Sequence, residues 1–112
     1  MPTGAGSGAV HSVTFTPVVA GRLVVTVTFE AEGTSGSSWG SSYRARAFMT
    51  QSGTTTHGDV SSLDTTRGHY TVRGVFDVTA GAAVECGLWG LISGAVSATF
   101  YNINVSAELI KR

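Results

Sequence analysis

The residue types that could support catalysis are present in this chain, but their spacing matches no catalytic motif. Serines are numerous, and His11, His57 and His69 could act as bases. A nucleophilic serine needs an oriented base beside it, and the sequence contains no Gly-x-Ser-x-Gly elbow. The seven acidic residues are scattered, so no pair is predicted to face across a groove as glycoside hydrolysis requires. We therefore expect no enzyme activity and no catalytic residue.

Metal binding has one weak candidate, in which His57 and Asp59 flank a glycine and Asp64 follows. A zinc site usually takes three or four protein ligands at a clear spacing, and a calcium loop needs more carboxylates than these two. We interpret this segment as solvated polar loop. The sequence predicts no metal site and no cofactor.

Glycan binding is the one small-ligand activity that the residues favour. Trp39 lies in a Gly/Ser-rich segment, and Tyr43 and Arg44 follow it, so an aromatic ring is available to stack on a sugar. With His57 and Asp59 in the next polar stretch, these five residues are the candidate binding site for a glycan or a protein partner. The alternative is that Trp39 plugs the end of the domain or lies in a subunit interface, where Trp, Tyr and Arg are enriched.

Composition restricts the class of partner. Only 12% of the 112 residues are charged, against a usual value of about 25%, and seven basic side chains balance seven acidic ones. This balance argues against nucleic-acid binding, which needs a basic surface. No apolar run is long enough to cross a membrane and no secretory signal is recognisable, so we expect synthesis in the cytoplasm without membrane insertion. Because the chain carries few charges, electrostatic repulsion between two copies is weak, and this favours a homo-oligomer.

Apolar residues alternate with polar ones along most of the chain, which is typical of half-buried β-strands. The clearest example is Arg22–Glu30, in which Leu23, Val25, Val27 and Phe29 share one face. No segment has a helical period. The sequence predicts an all-β protein, an antiparallel β-sandwich of jelly-roll type with seven to eight strands. Residues 1–9 are predicted to form a flexible Gly-rich arm, and residues 10–112 the single domain.

Strand boundaries follow from the same alternation. The last segment is too long for one straight strand of a small domain, so we expect a bend or bulge near Tyr101–Asn102. Residues 33–42 and 52–66 are polar and are predicted to be loops, the second with a short strand near His57–Ser61. The predicted strands are His11–Val18, Arg22–Glu30, Tyr43–Thr50, Tyr70–Val78, Ala83–Ile92 and Val96–Ile110.

The strand Ala83–Ile92 is apolar on both faces. Val84, the single cysteine Cys86 and Leu88 alternate on one face, so Cys86 is predicted to be a small buried apolar residue. Trp89 and Leu91 make the opposite face apolar as well. Because a strand with two apolar faces is expected to be covered on both sides, we predict that Trp89 and Leu91 lie in a subunit interface.

The C-terminal part resembles small β-sandwich modules of tailed-bacteriophage virions. The segments that carry the resemblance are YTVRGVFDVTAG, from Tyr70 to Gly81, and NINVSAELIKR, from Asn102 to Arg112. Such modules form the ends of tail fibres and tail-tip proteins, and also small proteins that decorate the head or tail. The resemblance implies a non-enzymatic virion component, commonly a trimer, on the particle exterior. No fibre shaft precedes the domain, which favours a small protein attached to a capsid or tail.

We therefore expect a structural protein located in the virion, a trimer that contacts other capsid or tail proteins. One alternative is a tail-fibre tip that binds a bacterial surface glycan through Trp39, Tyr43 and Arg44. A second alternative is a carbohydrate-binding module of a larger enzyme system.

Overall fold

The computed structural model describes residues 3–4, 6–33, 43–62, 67–92 and 98–111. Within these ranges the chain forms strands joined by turns, and no helix is long and apolar enough to cross a membrane. The strands of the described residues are β1 (Thr3–Gly4), β2 (Gly6–Phe15), β3 (Gly21–Gly33), β4 (Tyr43–Gln51), β5 (Thr54–Ser62), β6 (Gly68–Val78), β7 (Val84–Ile92) and β8 (Ala98–Lys111).

The eight described strands form two antiparallel sheets, which confirms the predicted all-β sandwich. One sheet has the order β1-β8-β3-β6 and the other has the order β2-β7-β4-β5. The pairs are nested: β4 pairs with β5, β3 with β6, β2 with β7 and β1 with β8. This nesting is the strand order of a jelly roll, in which one long folded hairpin is rolled into two layers.

Strand β3 lies at the centre of its sheet and pairs with both β6 and β8. Its alternation places Leu23, Val25 and Val27 between the sheets, where each has 0% exposure. Because side chains point to opposite faces with a period of two, the residues between them lie on the outer face. The inward residues of the described strands form one core, made of Leu23, Val25, Val27, Phe29, Ala31, Ala45, Ala47, Met49, Val72, Phe76, Val78, Val84, Cys86, Leu88 and Phe100.

The irregularity expected near Tyr101–Asn102 is present as a β-bulge. Glu30 of β3 is paired with Tyr101, whereas Thr28, two residues earlier, is paired with Asn104. Strand β8 therefore carries one extra residue opposite β3. Asn102 adopts a φ of 51°, a left-handed conformation that asparagine tolerates better than most residues. The bulge lets a 14-residue strand bend with its sheet.

The N-terminal segment differs from its prediction. Residues 3–4 pair with β8, and β2 begins at Gly6 and ends at Phe15, so the described part of the predicted arm lies in the sheets. The first strand thus begins and ends earlier than the predicted His11–Val18. The ladder uses backbone groups, which glycine offers as readily as any other residue, so a glycine-rich composition did not prevent pairing.

The polar stretch after β4 also differs from its prediction, because it continues directly into a nine-residue strand, β5. Ser52 and Gly53 have φ values of 54° and 79°, so they form the central residues of a two-residue turn with both φ positive. Such turns match the twist of the flanking strands. Thr54, Thr55 and Thr56 then continue the strand, because β-branched residues suit an extended backbone even when they are polar.

The two sheets meet closely along the β5/β6 side of the sandwich. A Cβ added at Gly58 of β5 would lie 2.5 Å from the Cα of Gly74 and 2.6 Å from the carbonyl oxygen of Arg73 on β6. Both obstacles are backbone atoms, which cannot swing away as a side chain can. This side of the sandwich therefore closes only because Gly58 has no side chain.

We predict that Gly58→Ala lowers the free energy of unfolding by roughly 1–3 kcal/mol, because the added methyl group forces the two strands apart. Gly8→Ala is the matched control, since a Cβ at Gly8 in β2 meets no atom within 4 Å. Urea denaturation of both variants measures the difference. Equal stability of the two variants would contradict the close contact between β5 and β6.

Candidate interaction surface

The outer face of the sheet β2-β7-β4-β5 carries large apolar and cationic side chains. Trp89 of β7 is paired with Arg46 of β4, and Arg46 is in turn paired with Val60 of β5. Paired residues point to the same face, so these side chains form one row. We call this surface the Trp89 face; its members are Arg44, Arg46, Phe48, His57, Val60, Trp89 and Leu91.

A close backbone contact between β2 and β7 shapes this face. Strand β2 bulges at Val10, and the carbonyl oxygen of His11 occupies the position where a Cβ of Gly87 would be. Only glycine fits there. Gly87 is also the partner of Phe48, so the phenyl ring occupies the outer side of the sheet opposite a residue that has no side chain. A large aromatic residue opposite a glycine is a recurrent way to fill such a gap.

Three aromatic rings pack together on the Trp89 face. The ring centroids of Phe48 and Trp89 are 5.3 Å apart with an interplanar angle of 63°, and those of His57 and Trp89 are 4.9 Å apart at 70°. Edge-to-face packing of this kind is favourable because the positive ring edge meets the negative ring face. As a result Phe48 is only 1% exposed although it lies outside the core, while Trp89 stays half-buried.

The two arginines of this face have hydrogen-bonding groups that no described residue satisfies. Arg44 and Arg46 are two residues apart on β4, about 7 Å along the strand, and both are half-buried. The Nε atom of each is buried and has no hydrogen-bond acceptor among the described residues. Buried donors are nearly always paired in native proteins, so two neighbouring exceptions on one face indicate where an external acceptor would bind.

The structure brings together four of the residues selected from the sequence. Arg44, His57, Trp89 and Leu91 all lie on the Trp89 face, although they come from three strands. Asp59 is exposed in the bulge of β5. The backbone of Tyr43 starts β4. Trp39 lies outside the described residues, as does the side chain of Tyr43.

Sequence reasoning missed three members of the face. Arg46 and Phe48 share the period-two register of Arg44, which was a usable signal, but neither had been selected as a contact. Val60 is 50% exposed and joins the face only because β5 pairs with β4. That pairing had not been predicted for the whole of β5, so Val60 could not have been placed.

A second cluster of polar side chains lies on the outer face of the other sheet, and its members are hydrogen-bonded to each other. Glu30 accepts a hydrogen bond from Arg67 Nε at 3.0 Å and another from Asn102 Nδ2 at 2.6 Å. The Arg67 guanidinium lies over the ring of Tyr101, 3.8 Å from its centroid, and the Tyr101 hydroxyl donates to Glu32. These contacts connect β3, the start of β6 and the bulge of β8, so the group stabilises one end of this sheet.

The same contacts shift the acidity of two of these side chains. The hydrogen bond from Asn102, together with that from Arg67, holds the pKa of Glu30 below its usual value. The hydrogen bond to Glu32 raises the pKa of Tyr101. Both shifts favour the charged carboxylate and the neutral phenol that the network requires.

Cys86 is buried, and the described acidic residues do not gather into a metal-binding group. Cys86 is fully buried in the core, as predicted, and burial, followed by the nearby charge of Glu85, raises the pKa of its thiol to about 11. In the described ranges, no three His, Cys, Asp or Glu side chains lie close enough to hold a metal ion. Glu85 instead accepts a hydrogen bond from Ser12 at 2.7 Å.

Comparison with known proteins adds no relative: no family model matches this chain, and no curated protein is significantly similar to it. The function must therefore be argued from the surfaces described above.

We predict that the thiol of Cys86 stays unreactive in the folded protein. Only the thiolate attacks electrophilic reagents, and both burial and the raised pKa of Cys86 disfavour it. Iodoacetamide labelling at neutral pH, followed by mass spectrometry, should show modification only as fast as the protein unfolds. Fast labelling without unfolding would contradict the packing of β7.

We predict that His57 makes the protein less stable in acid. Burial and the charge of Arg46 hold the pKa of His57 below its usual value, so the unfolded chain binds a proton more readily than the folded one. This histidine's contribution is thus complete above about pH 6.5 and is lost as the pH falls below that value.

The melting temperature of His57→Gln should consequently fall less than that of the wild type between about pH 8 and pH 5. His11→Gln, which changes an exposed histidine on β2, should keep the wild-type slope. Identical slopes for the wild type and His57→Gln would show that Trp89 and Arg46 do not affect the imidazole.

Proposed function

We propose that this chain is a non-enzymatic structural module of a bacteriophage virion. It forms a homo-oligomer, a trimer, and uses the Trp89 face as its contact surface with other copies and with capsid or tail proteins. The observation that carries the proposal is the pair of buried, unpaired Nε atoms of Arg44 and Arg46 beside Trp89 and Leu91. The virion assignment rests on the resemblance of residues 70–81 and 102–112.

The composition of the Trp89 face supports a protein contact. Arginine and aromatic residues are over-represented at the centres of protein interfaces, where tryptophan and arginine often contribute most to binding. Arg44 and Arg46 supply donors, whereas Trp89, Leu91 and Val60 supply apolar area. The unpaired Nε donors and the apolar side chains suit a protein partner that offers acidic and apolar groups.

Charge placement on the two sheets supports the same conclusion. On the outer face of the β1-β8-β3-β6 sheet, Glu30 and Glu32 have hydrogen-bonded partners within the chain. On the Trp89 face, the Nε atoms of Arg44 and Arg46 have none among the described residues. Binding a partner stabilises a protein most where the partner supplies hydrogen bonds that the folded chain lacks, and here that place is the Trp89 face.

Glycan binding is a second candidate function, and one cavity favours it. This cavity of about 310 Å³ lies beside the bulge of β8, and Glu30, His69 and Asn102 are among its lining residues. Planar polar side chains of this kind can hydrogen-bond neighbouring sugar hydroxyls. Glu30 and Asn102 are already bonded to each other, however, so a sugar would have to compete with that bond.

We predict that the wild-type protein is oligomeric in solution and that Leu91→Arg makes it a monomer, because a third cation on the Trp89 face adds repulsion and removes apolar area. Val18→Arg is the matched control, since Val18 is 88% exposed in the turn before β3. Light scattering at about 10 to 100 μM gives the mass of each variant. A monomeric wild type over this range would refute the assembly proposal.

Binding to particles separates the virion function from glycan binding. A structural component should bind phage particles assembled without it and raise the temperature at which they release their contents. It should not bind bare bacterial cells. Binding to cells that is lost in Asn102→Ala, with oligomeric mass unchanged, would favour the glycan function instead.

A further inference from the structure

The sandwich is open along its β8/β2 side. Strand β1 pairs with only two residues of β8, Ala98 and Thr99. From residue 100 to residue 111, therefore, the side of β8 that faces away from β3 has no strand partner among the described residues. Backbone carbonyl and amide groups along this side are available to an external partner.

The exposure of the inward-facing residues of β8 also shows that the sandwich is open on this side. Val105, Ala107 and Leu109 are paired with Val27, Val25 and Leu23 of β3, so they point between the sheets. The three β3 residues are 0% exposed, whereas Val105 and Leu109 are half-buried and Ala107 is exposed. On the facing strand β2, Val13 is paired with the buried Cys86 and yet is 39% exposed.

We define the β8 edge as residues 100–111 together with Val13. Glu108 and Lys111 are its only charged residues, and it contains neither proline nor glycine. Natural proteins usually protect long free edges with lysines, prolines or bulges. Here the bulge protects only the start of the strand, at Asn102, so the part from Ile103 to Leu109 remains suited to contact.

We propose that the β8 edge of one copy is the surface on which the Trp89 face of the next copy binds. This inference rests on the proposed homo-oligomer and names its interface. A closed trimer cannot be built from one self-complementary patch, because each subunit must offer two different surfaces to its two neighbours. The Trp89 face and the β8 edge are two such surfaces.

Their chemistry is complementary. The Trp89 face has donors without acceptors, the Nε atoms of Arg44 and Arg46. The β8 edge offers unpaired backbone carbonyl groups as acceptors, beside its unpaired amide groups, and the carboxylate of Glu108 is exposed without a partner among the described residues. The half-exposed Val105 and Leu109 match the apolar surface of Trp89 and Leu91.

Their placement also allows a ring. The Trp89 face is the outer side of the β2-β7-β4-β5 sheet, whereas the β8 edge belongs to the other sheet, so one copy can contact two neighbours at once. Two different contact surfaces on each subunit are what a closed ring requires. Two copies of the Trp89 face placed against each other would instead bring arginine against arginine.

Charge reversal tests this interface. We expect Arg44→Glu/Arg46→Glu and Glu108→Arg each to weaken assembly at least about tenfold in dissociation constant. The variant that carries all three substitutions should assemble more tightly than either partial variant, because the exchanged charges again attract each other, although glutamates cannot donate to the backbone carbonyl groups of the β8 edge. Val18→Arg is again the control, since Val18 is 88% exposed in the turn before β3, outside both surfaces, and should leave assembly unchanged.

Sedimentation equilibrium gives the mass and dissociation constant of each variant, and circular dichroism melting confirms that each one is folded. Full assembly of Glu108→Arg would overturn the proposed interface while leaving assembly through the Trp89 face intact. A combined variant that is folded but monomeric would overturn it as well. A monomeric wild type would refute the proposed homo-oligomer itself. The failure of the interface and the failure of the proposed function can therefore be told apart.

Discussion

The Trp89 face depends on the close approach of the His11 carbonyl oxygen to Gly87, which leaves no room for a Cβ there. Strand β2 bulges at this point and presses on β7, and no residue with a side chain could replace the glycine. On the outer side of the sheet, Phe48 of the neighbouring strand β4 lies opposite Gly87, and Trp89 packs against the Phe48 ring. An aromatic cluster is thus built on the outside of a sheet whose inside is already full. Such a cluster leaves part of its area exposed, which is how the fold creates a surface suited to association.

Alternation of apolar and polar residues was sufficient to predict the strands that form the core. β3, β6 and β7 each bury most of one face, and the need for a bend in β8 followed from its length alone. The failures lie where side chains do not decide the structure. Strand β5 is exposed over most of its length, and the segment from Gly6 to Ala9 pairs through its backbone. Hydrophobic periodicity carries no information about strands that bury little.

The residue types of the candidate surface could be predicted from the sequence, but the fact that these residues lie together on one face could not. Arg44, His57, Trp89 and Leu91 were selected one by one, as residues that favour binding or interfaces. Their meeting on one face depends on the register between β4, β5 and β7, and a shift of one residue would send a side chain to the other face. The bulge in β5, between the partners of Arg46 and Phe48, is such a shift, and no sequence motif announces it.

The nested pairing has a consequence for how the chain folds during synthesis. Strand β8 pairs with β3 along almost its whole length, although it is the last described strand to be made. The β4–β5 hairpin needs only a two-residue turn and can close early, whereas β3 must wait with one unpaired edge for a partner some 80 residues downstream. Until β8 has been synthesised, then, the strand that contributes most residues to the core has one edge with unpaired backbone groups. Those groups can pair with a neighbouring nascent chain, so the native sandwich competes with association during synthesis.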